Sequence, residues 1–348
     1  MEPFKNLFNK ALVQGMATHF ARHDKKLDQK AFARFVLKDF DKLELKERSN
    51  KIVEGMAKYL PDNFPAAAKI MLASLHPDPP DDLYGIAVTD AGLAGWAIMP
   101  MGEYVGLYGQ QDFDLSLNLL KEMTSRFTSE SAIRHFFLEN PKKTLKAIKP
   151  WTKDKNRHVR RLVSEGSRPL LPWSPKIQTF VEDPSLILPL LEALRHDGEE
   201  YVRRSVANNL NDIAKHHPDL VAETATHWLK GASKDEQRMV RHACRTLLKQ
   251  GHQGALSAFG YGDVSLTVDS FDIQANAISL GQHLIFDLEL TSSSDQDQPL
   301  MIDFVIHHRK ANGSTTPKVF KWKTINLKSG ATVSAQKKHA IKPITTRV

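Results

Sequence analysis

The chain has 348 residues, of which 41% are hydrophobic and 25% charged, and its formal net charge is +8. That length holds about two domains with a core that needs no staple, and its single cysteine, Cys244, excludes an intramolecular disulfide and a cysteine-based zinc site. No stretch approaches the roughly 20 apolar residues that span a bilayer, the N-terminus lacks a basic-then-apolar signal pattern, and the positive balance favours a polyanionic partner such as nucleic acid.

Two patterns divide the chain: helical over residues 1–258, stranded over 263–348. Phe4, Leu7, Phe8, Ala11 and Leu12 are spaced for one face of a first helix. Phe32, Phe35, Val36 and Phe40 mark a second. Glu44 to Arg48 opens a third, continued by Ile52, Met56 and Leu60. Pro61 and Pro65 punctuate, and 66–75 is helical again. The loop His-Pro-Asp-Pro-Pro-Asp-Asp at 76–82 is rigid and acidic. Residues 92–109, with glycines around Trp96 and Tyr104, read as short helical pieces joined by tight turns.

From residue 113 the chain repeats. Val-Arg-basic tripeptides begin at Val159, Val202 and Val240, 43 and then 38 residues apart. A period near 40 built from paired helices marks HEAT-type repeats. A polar turn precedes each tripeptide and can cap the helix that follows. Stacked helix pairs of this kind share a buried core and leave an extended binding surface.

After residue 260 the period becomes two. Val264 to Val268, Ile285 to Leu290, Met301 to Ile306 and Val319 to Ile325 alternate as strands. Gly281, Gly313 and Gly330 sit between them as turn residues. The expected fold is therefore an all-α HEAT-like repeat solenoid over 1–258 followed by a small all-β immunoglobulin-like sandwich over 263–348. Residues 342–348 read as the start of a strand that stops, which would leave the sandwich short at its C-terminus.

The repeats carry a polar ladder beside their apolar stripe. Val202, Val206, Leu210 and Ile213 form the stripe, while Arg204, Asn208 and Asp212 lie beside it at four-residue steps. Arg161 and Glu165 take the same step, as do His242 and Thr246, and upstream Glu130 and Arg134. Register between repeats makes Glu165, Asn208 and Thr246 equivalent. Such pairs often form solvated ion pairs worth a few tenths of a kcal/mol. The functional reading differs. Guanidinium forks suit phosphate, and carboxylates among them suit a positive charge that develops on a substrate. The 15 histidines show no metal-ligand spacing, so neither metal nor cofactor is expected.

The segment 158–173, His-Val-Arg-Arg-Leu-Val-Ser-Glu-Gly-Ser-Arg-Pro-Leu-Leu-Pro-Trp, closely resembles the AlkC family of bacterial DNA alkylation-repair glycosylases, relatives of AlkD. Segments 45–48, 102–109, 127–134 and 201–212 resemble it too, so the likeness spans 1 to about 255. Some members also carry an immunoglobulin-like C-terminal domain. The resemblance implies removal of positively charged 3-methyladenine and 3-methylcytosine from duplex DNA without base flipping. It carries the catalytic carboxylates onto Glu130, Glu165 and Asp212, and the site aromatic onto Trp173. Ser131 stands where much of the family has an aromatic residue. Arg160, Arg161, Arg168, Arg203, Arg204, Asn208, Arg241 and His242 are the candidate DNA contacts. Adjacent arginines point about 100° apart on a helix, so one of each pair is peripheral. The implied protein is a cytoplasmic, nucleoid-associated monomer with no membrane contact. Two other readings stay open: a non-catalytic HEAT scaffold that binds damaged DNA or a protein partner, and an RNA-binding repeat protein.

Overall fold

A computed structural model describes residues 3–77 and 88–342. Most of the proline-rich loop, and the residues after 342 read as a truncated strand, lie outside the described residues. The chain divides into two compact units, Met1–His216 with Ala232–Ala243, and His217–Gly231 with Cys244–Val348.

The first unit is helical. Its first apolar run is not one helix but a 3-10 turn, Phe4–Leu7, followed by the helix Lys10–His23. Asn9 causes the break: its side-chain oxygen accepts from Leu12 N at 3.0 Å and caps the second piece. Helices Gln29–Leu37, Leu45–Tyr59 and Phe64–Ser74 follow as the periodicity predicts. Residues 95–108 depart from expectation. One 3-10 turn leads into a single continuous helix, Ile98–Tyr108. Its Gly106 serves close packing instead of turning, because a Cβ there would collide with the His135 ring.

The repeat helices Arg157–Gly166, Glu200–Ile213 and Lys234–Ala243 pack side by side, the middle one touching both neighbours. Their starts are fixed locally. Asn156 Oδ1 accepts from His158 N at 2.8 Å, and Asp197 Oδ1 from Glu199 N at 3.0 Å. Ser233 and Glu236 form a reciprocal capping box, with Ser233 N to Glu236 Oε2 at 2.8 Å and Glu236 N to Ser233 Oγ at 3.3 Å. The apolar stripe is buried throughout: Val159, Val163, Val202, Val206, Leu210, Ile213 and Val240. Burying each such side chain contributes about 1.5–3 kcal/mol. The third helix ends at Ala243, and Thr246 lies on a separate helix, Arg245–Gln250, in the second unit. The expected register of Glu165, Asn208 and Thr246 therefore does not run along the three repeat helices, because its third member is not on one of them.

The second unit holds helices Pro218–Leu229, Arg245–Gln250 and Gln253–Ala258 and five strands among the described residues. These are β1 (Leu266–Ile273), β2 (His283–Ser292), β3 (Gln298–Arg309), β4 (Thr315–Leu327) and β5 (Thr332–Ala340). They form antiparallel sheets of order β1-β2-β5 and β3-β4. Leu290, Leu300 and Leu327 make the centre of the sandwich, with Leu266, Leu288, Ile302, Ile325 and Val333 against them. The turn glycines Gly281, Gly313 and Gly330 all take positive φ, as expected. Strand β5 was not legible in the sequence. Its Thr-Val-Ser-Ala-Gln-Lys-Lys-His-Ala has few apolar residues, and its pairing with β2 defines it.

Candidate active site

The site lies in the first unit and is assembled from a turn, two repeat helices and the loop after the first of them. Glu130 stands in the turn that precedes the helix Arg134–Glu139, not on a helix face with Arg134 as the four-residue step suggested. Its Oε2 accepts from Thr128 Oγ1 at 2.7 Å and from Arg161 Nη1 at 2.6 Å. Arg161 also lies 3.6 Å from Glu165 Oε1 and places its Cζ 5.0 Å from the centre of the Tyr201 ring. It thus joins two acids 35 positions apart in the chain, a link invisible to local spacing.

Glu165 points inward from the last turn of its helix. Its Oε1 accepts from Arg168 Nη1 at 2.7 Å, and its Oε2 accepts from Ser205 Oγ at 2.6 Å. Ser205 in turn accepts from Ser164 Oγ at 2.7 Å. The following Gly166 is obligatory for this packing, because a Cβ there would lie 2.6 Å from Ile133 Cγ2. Asp212 reaches the same guanidinium from the neighbouring helix, its Oδ2 accepting from Arg168 Nε at 2.8 Å. Lys215 Nζ donates to the other oxygen of Asp212 at 3.2 Å. One arginine therefore holds both acids. Glu165 and Asp212 are 4% and 2% exposed, while Lys215 is exposed.

The electrostatics follow from this crowding. Burial would raise the pKa of Glu165, but Arg161 and Arg168 outweigh it and hold the carboxyl below its ordinary value. Burial would lower the Arg161 guanidinium, and the fields of Glu130 and Glu165 reverse that to a net rise. Arg168 is likewise raised, burial being overcome by Asp212 and Glu165. Glu165 is therefore charged near neutral pH, as electrostatic stabilisation of a cation needs.

Trp173 projects from the loop after Gly166 with 72% of its surface exposed. Its φ is +64°, a left-handed conformation that a bulky residue adopts at a cost of about 1–3 kcal/mol. Lys46 Nζ donates to its carbonyl at 2.6 Å. Beside it, Ser131 Oγ lies 2.7 Å from Ser174 Oγ.

The other candidate DNA contacts fall into three groups. Arg160 is engaged in the fold: its Nε and Nη2 donate to Asp197 at 2.6 and 3.0 Å, and its Nη1 donates to the carbonyls of Asp154 and Lys155. Arg203 is buried, donating to the Asp197 carbonyl and, at 3.1 Å, to Asp235 Oδ2. Arg204 is exposed on the rim of a groove of about 220 Å³, whose lining includes Arg238, Met239 and His242. His242 Nε2 lies 3.1 Å from Asn208 Oδ1, and Arg241 is half-buried on the same helix as His242. Sequence reasoning missed Arg238, which faces this groove with its side chain 79% exposed. It also missed Ser205, Lys215 and Lys46. Only Ser205 had a signal, a serine 41 residues after Ser164, one repeat later. Among the described residues no three His, Cys, Asp or Glu side chains gather as metal donors.

Residues 110–248 match the family described as DNA alkylation repair enzyme, and 267–348 match the C-terminal Ig-like domain of uncharacterised protein YhaZ. The chain is 35% identical over 349 aligned positions to the uncharacterized protein YhaZ of Bacillus subtilis strain 168, covering 100% of this chain and 93% of that protein. Among solved structures it is similar to the Pseudomonas fluorescens alkylpurine DNA glycosylase AlkC bound to DNA containing an abasic site analog. The TM-score is 0.86 at 31% identity, with 100% of this chain and 93% of that chain covered.

Proposed function

The chain belongs to the AlkC family of DNA alkylation-repair glycosylases, and from that membership we propose that it hydrolyses the N-glycosidic bond of cationic alkylated bases in duplex DNA. The substrates we assign are 3-methyladenine and 3-methylcytosine. The observation that carries this reading is the single guanidinium of Arg168 bound to both Glu165 and Asp212, in the segment that displays Trp173. It supports a site where negative charge is fixed in advance beside an exposed aromatic face.

In the proposed reaction the C1′–N bond breaks and the base takes the bonding pair, which neutralises its own positive charge. The sugar becomes oxocarbenium-like, and water adds to C1′ while its proton passes to a carboxylate and then to solvent. Because the base leaves neutral, no strong general acid is required. Trp173 would offer a π face to the cationic lesion, a contact worth up to about 2 kcal/mol when desolvated. Its exposure favours a base attended to in the duplex over one swung into a walled pocket. Asp212 is the acid best suited to meet the sugar, since the oxygen that Arg168 leaves free accepts from exposed Lys215, which can swing to a phosphate. Glu165 and Glu130 would hold the surrounding charges. We assign the reaction to residues 1–258, acting on DNA as a cytoplasmic monomer without a cofactor, and the residues 263–348 to a second domain.

A non-catalytic DNA-binding scaffold is the rival reading, and it draws on the burial of Glu165 and Asp212 behind their ion pairs. The two separate cleanly in a base-release assay on methylated duplex DNA with enzyme in excess. A glycosylase releases 3-methyladenine, and Glu165→Gln and Asp212→Asn abolish release while binding stays within a few fold. Binding with no release by the wild type establishes the scaffold.

A further inference from the structure

Arg134 is among the largest side chains with no exposed surface, and its hydrogen bonds all go to main-chain oxygens. Nη1 donates to the carbonyls of Gly166 at 3.1 Å and Arg168 at 2.6 Å. Nη2 donates to Pro169 at 3.4 Å and also to Pro175, which accepts from Nε at 2.9 Å as well. A buried cation ordinarily pairs with a carboxylate. This one instead closes both ends of one loop, residues 166–175. That loop is rich in proline, with Pro169, Pro172 and Pro175, so it has few N–H groups with which to order itself. It carries Arg168, which holds the two buried acids, and Trp173 in a strained left-handed conformation. Strain of that kind persists only where the surroundings over-determine it. The outer side of the loop is tied as well, by Lys46 to the Trp173 carbonyl and by Ser131 to Ser174.

We infer that Arg134 from within and Lys46 from without are positioning residues that hold Trp173 in its working place before DNA arrives. The inference rests on the role given to Trp173 above. Lys46 lies on the helix Leu45–Tyr59, 127 residues from the residue it holds, and its side chain is exposed, so its removal spares the core. A pre-set aromatic contributes because a misplacement of about 1 Å at a reacting centre can cost on the order of a hundredfold in rate.

The test uses the full chain labelled with 5-fluorotryptophan, its five signals resolved by fluorine NMR and that of Trp173 assigned with Trp173→Phe. Lys46→Ala is expected to shift and sharpen the Trp173 signal alone. It should slow single-turnover base release roughly tenfold, with duplex affinity and its salt slope unchanged, and Lys46→Arg should restore both. Arg134→Lys keeps the charge but loses the fork, and should move the same signal further. If it fails to fold, the Lys46 variants still decide. An unmoved Trp173 signal, or an unchanged release rate, overturns the inference. So does weaker binding with a salt slope reduced by about one unit, because that marks Lys46 as a phosphate contact. If the wild type releases no base at all, the glycosylase reading falls instead, and the signal alone judges the clamp.

Discussion

Arg168 and Asp212 lie 44 residues apart in the chain and 2.8 Å apart in the structure, Nε to Oδ2. The same guanidinium also donates to Glu165, so its removal takes the shared cation from two acids that have almost no access to water, leaving Glu165 to Arg161 and Ser205 and Asp212 to Lys215. Arg168→Met is therefore expected to destabilise the protein by about 3–5 kcal/mol. Urea unfolding measures it, and a loss below about 1 kcal/mol would mean that the acids find other partners.

Glu165 gives a pH signature with a definite sign. Its folded pKa lies below the ordinary 4.5, so its ionisation stabilises the fold fully above that value. The contribution is lost as pH falls through the lower folded value. Thermal melts below pH 4.5 should show wild-type stability falling more steeply than that of Glu165→Gln. Parallel curves would show that Glu165 is not held ionised by Arg161 and Arg168.

Trp173 sets stability against function. Glycine adopts a positive φ without strain, so Trp173→Gly removes a local cost of about 1–3 kcal/mol, partly offset by a more flexible unfolded chain. The variant should melt no lower than wild type and yet release base at least tenfold more slowly. A variant that melts well below wild type would show that the exposed ring packs more than its surface implies.

The arginines separate by what already holds them. Arg204 and Arg238 rim one groove and are exposed, so alanine at each should lower the slope of log affinity against log salt by about 0.9. Arg160, bound to Asp197 and two carbonyls, should leave that slope intact and lower the melting temperature instead. Duplex titrations at several salt concentrations distinguish them, and a reduced slope for Arg160→Ala would place it on the DNA after all.

Much of this was readable from the chain alone. The period near 40 located the repeat helices, and the four-residue steps gave the stripe from Val202 to Ile213, because one helix turn sets that spacing. Period two gave β1 to β4 for the same kind of reason, while β5, polar along its length, needed its partner strand to be seen. The motif ending at Trp173 pointed to the family to which the chain belongs. Local spacing failed where contacts cross between elements. The Glu130–Arg134 step suggested an ion pair on one helix, yet Glu130 pairs with Arg161, and Arg134 turns inward to carbonyls more than thirty residues ahead.

The sequence by itself determined which segments coil, which extend and which residue types could carry chemistry, since these follow from periodicity, capping and side-chain chemistry along a few consecutive residues. Only the tertiary structure decided which charges meet. Arg160 and Arg161 are neighbours in the chain, but one grips Asp197 and the other Glu130. That choice depends on where distant backbone brings each acid, because an ion pair depends on distance in space and not on order along the chain.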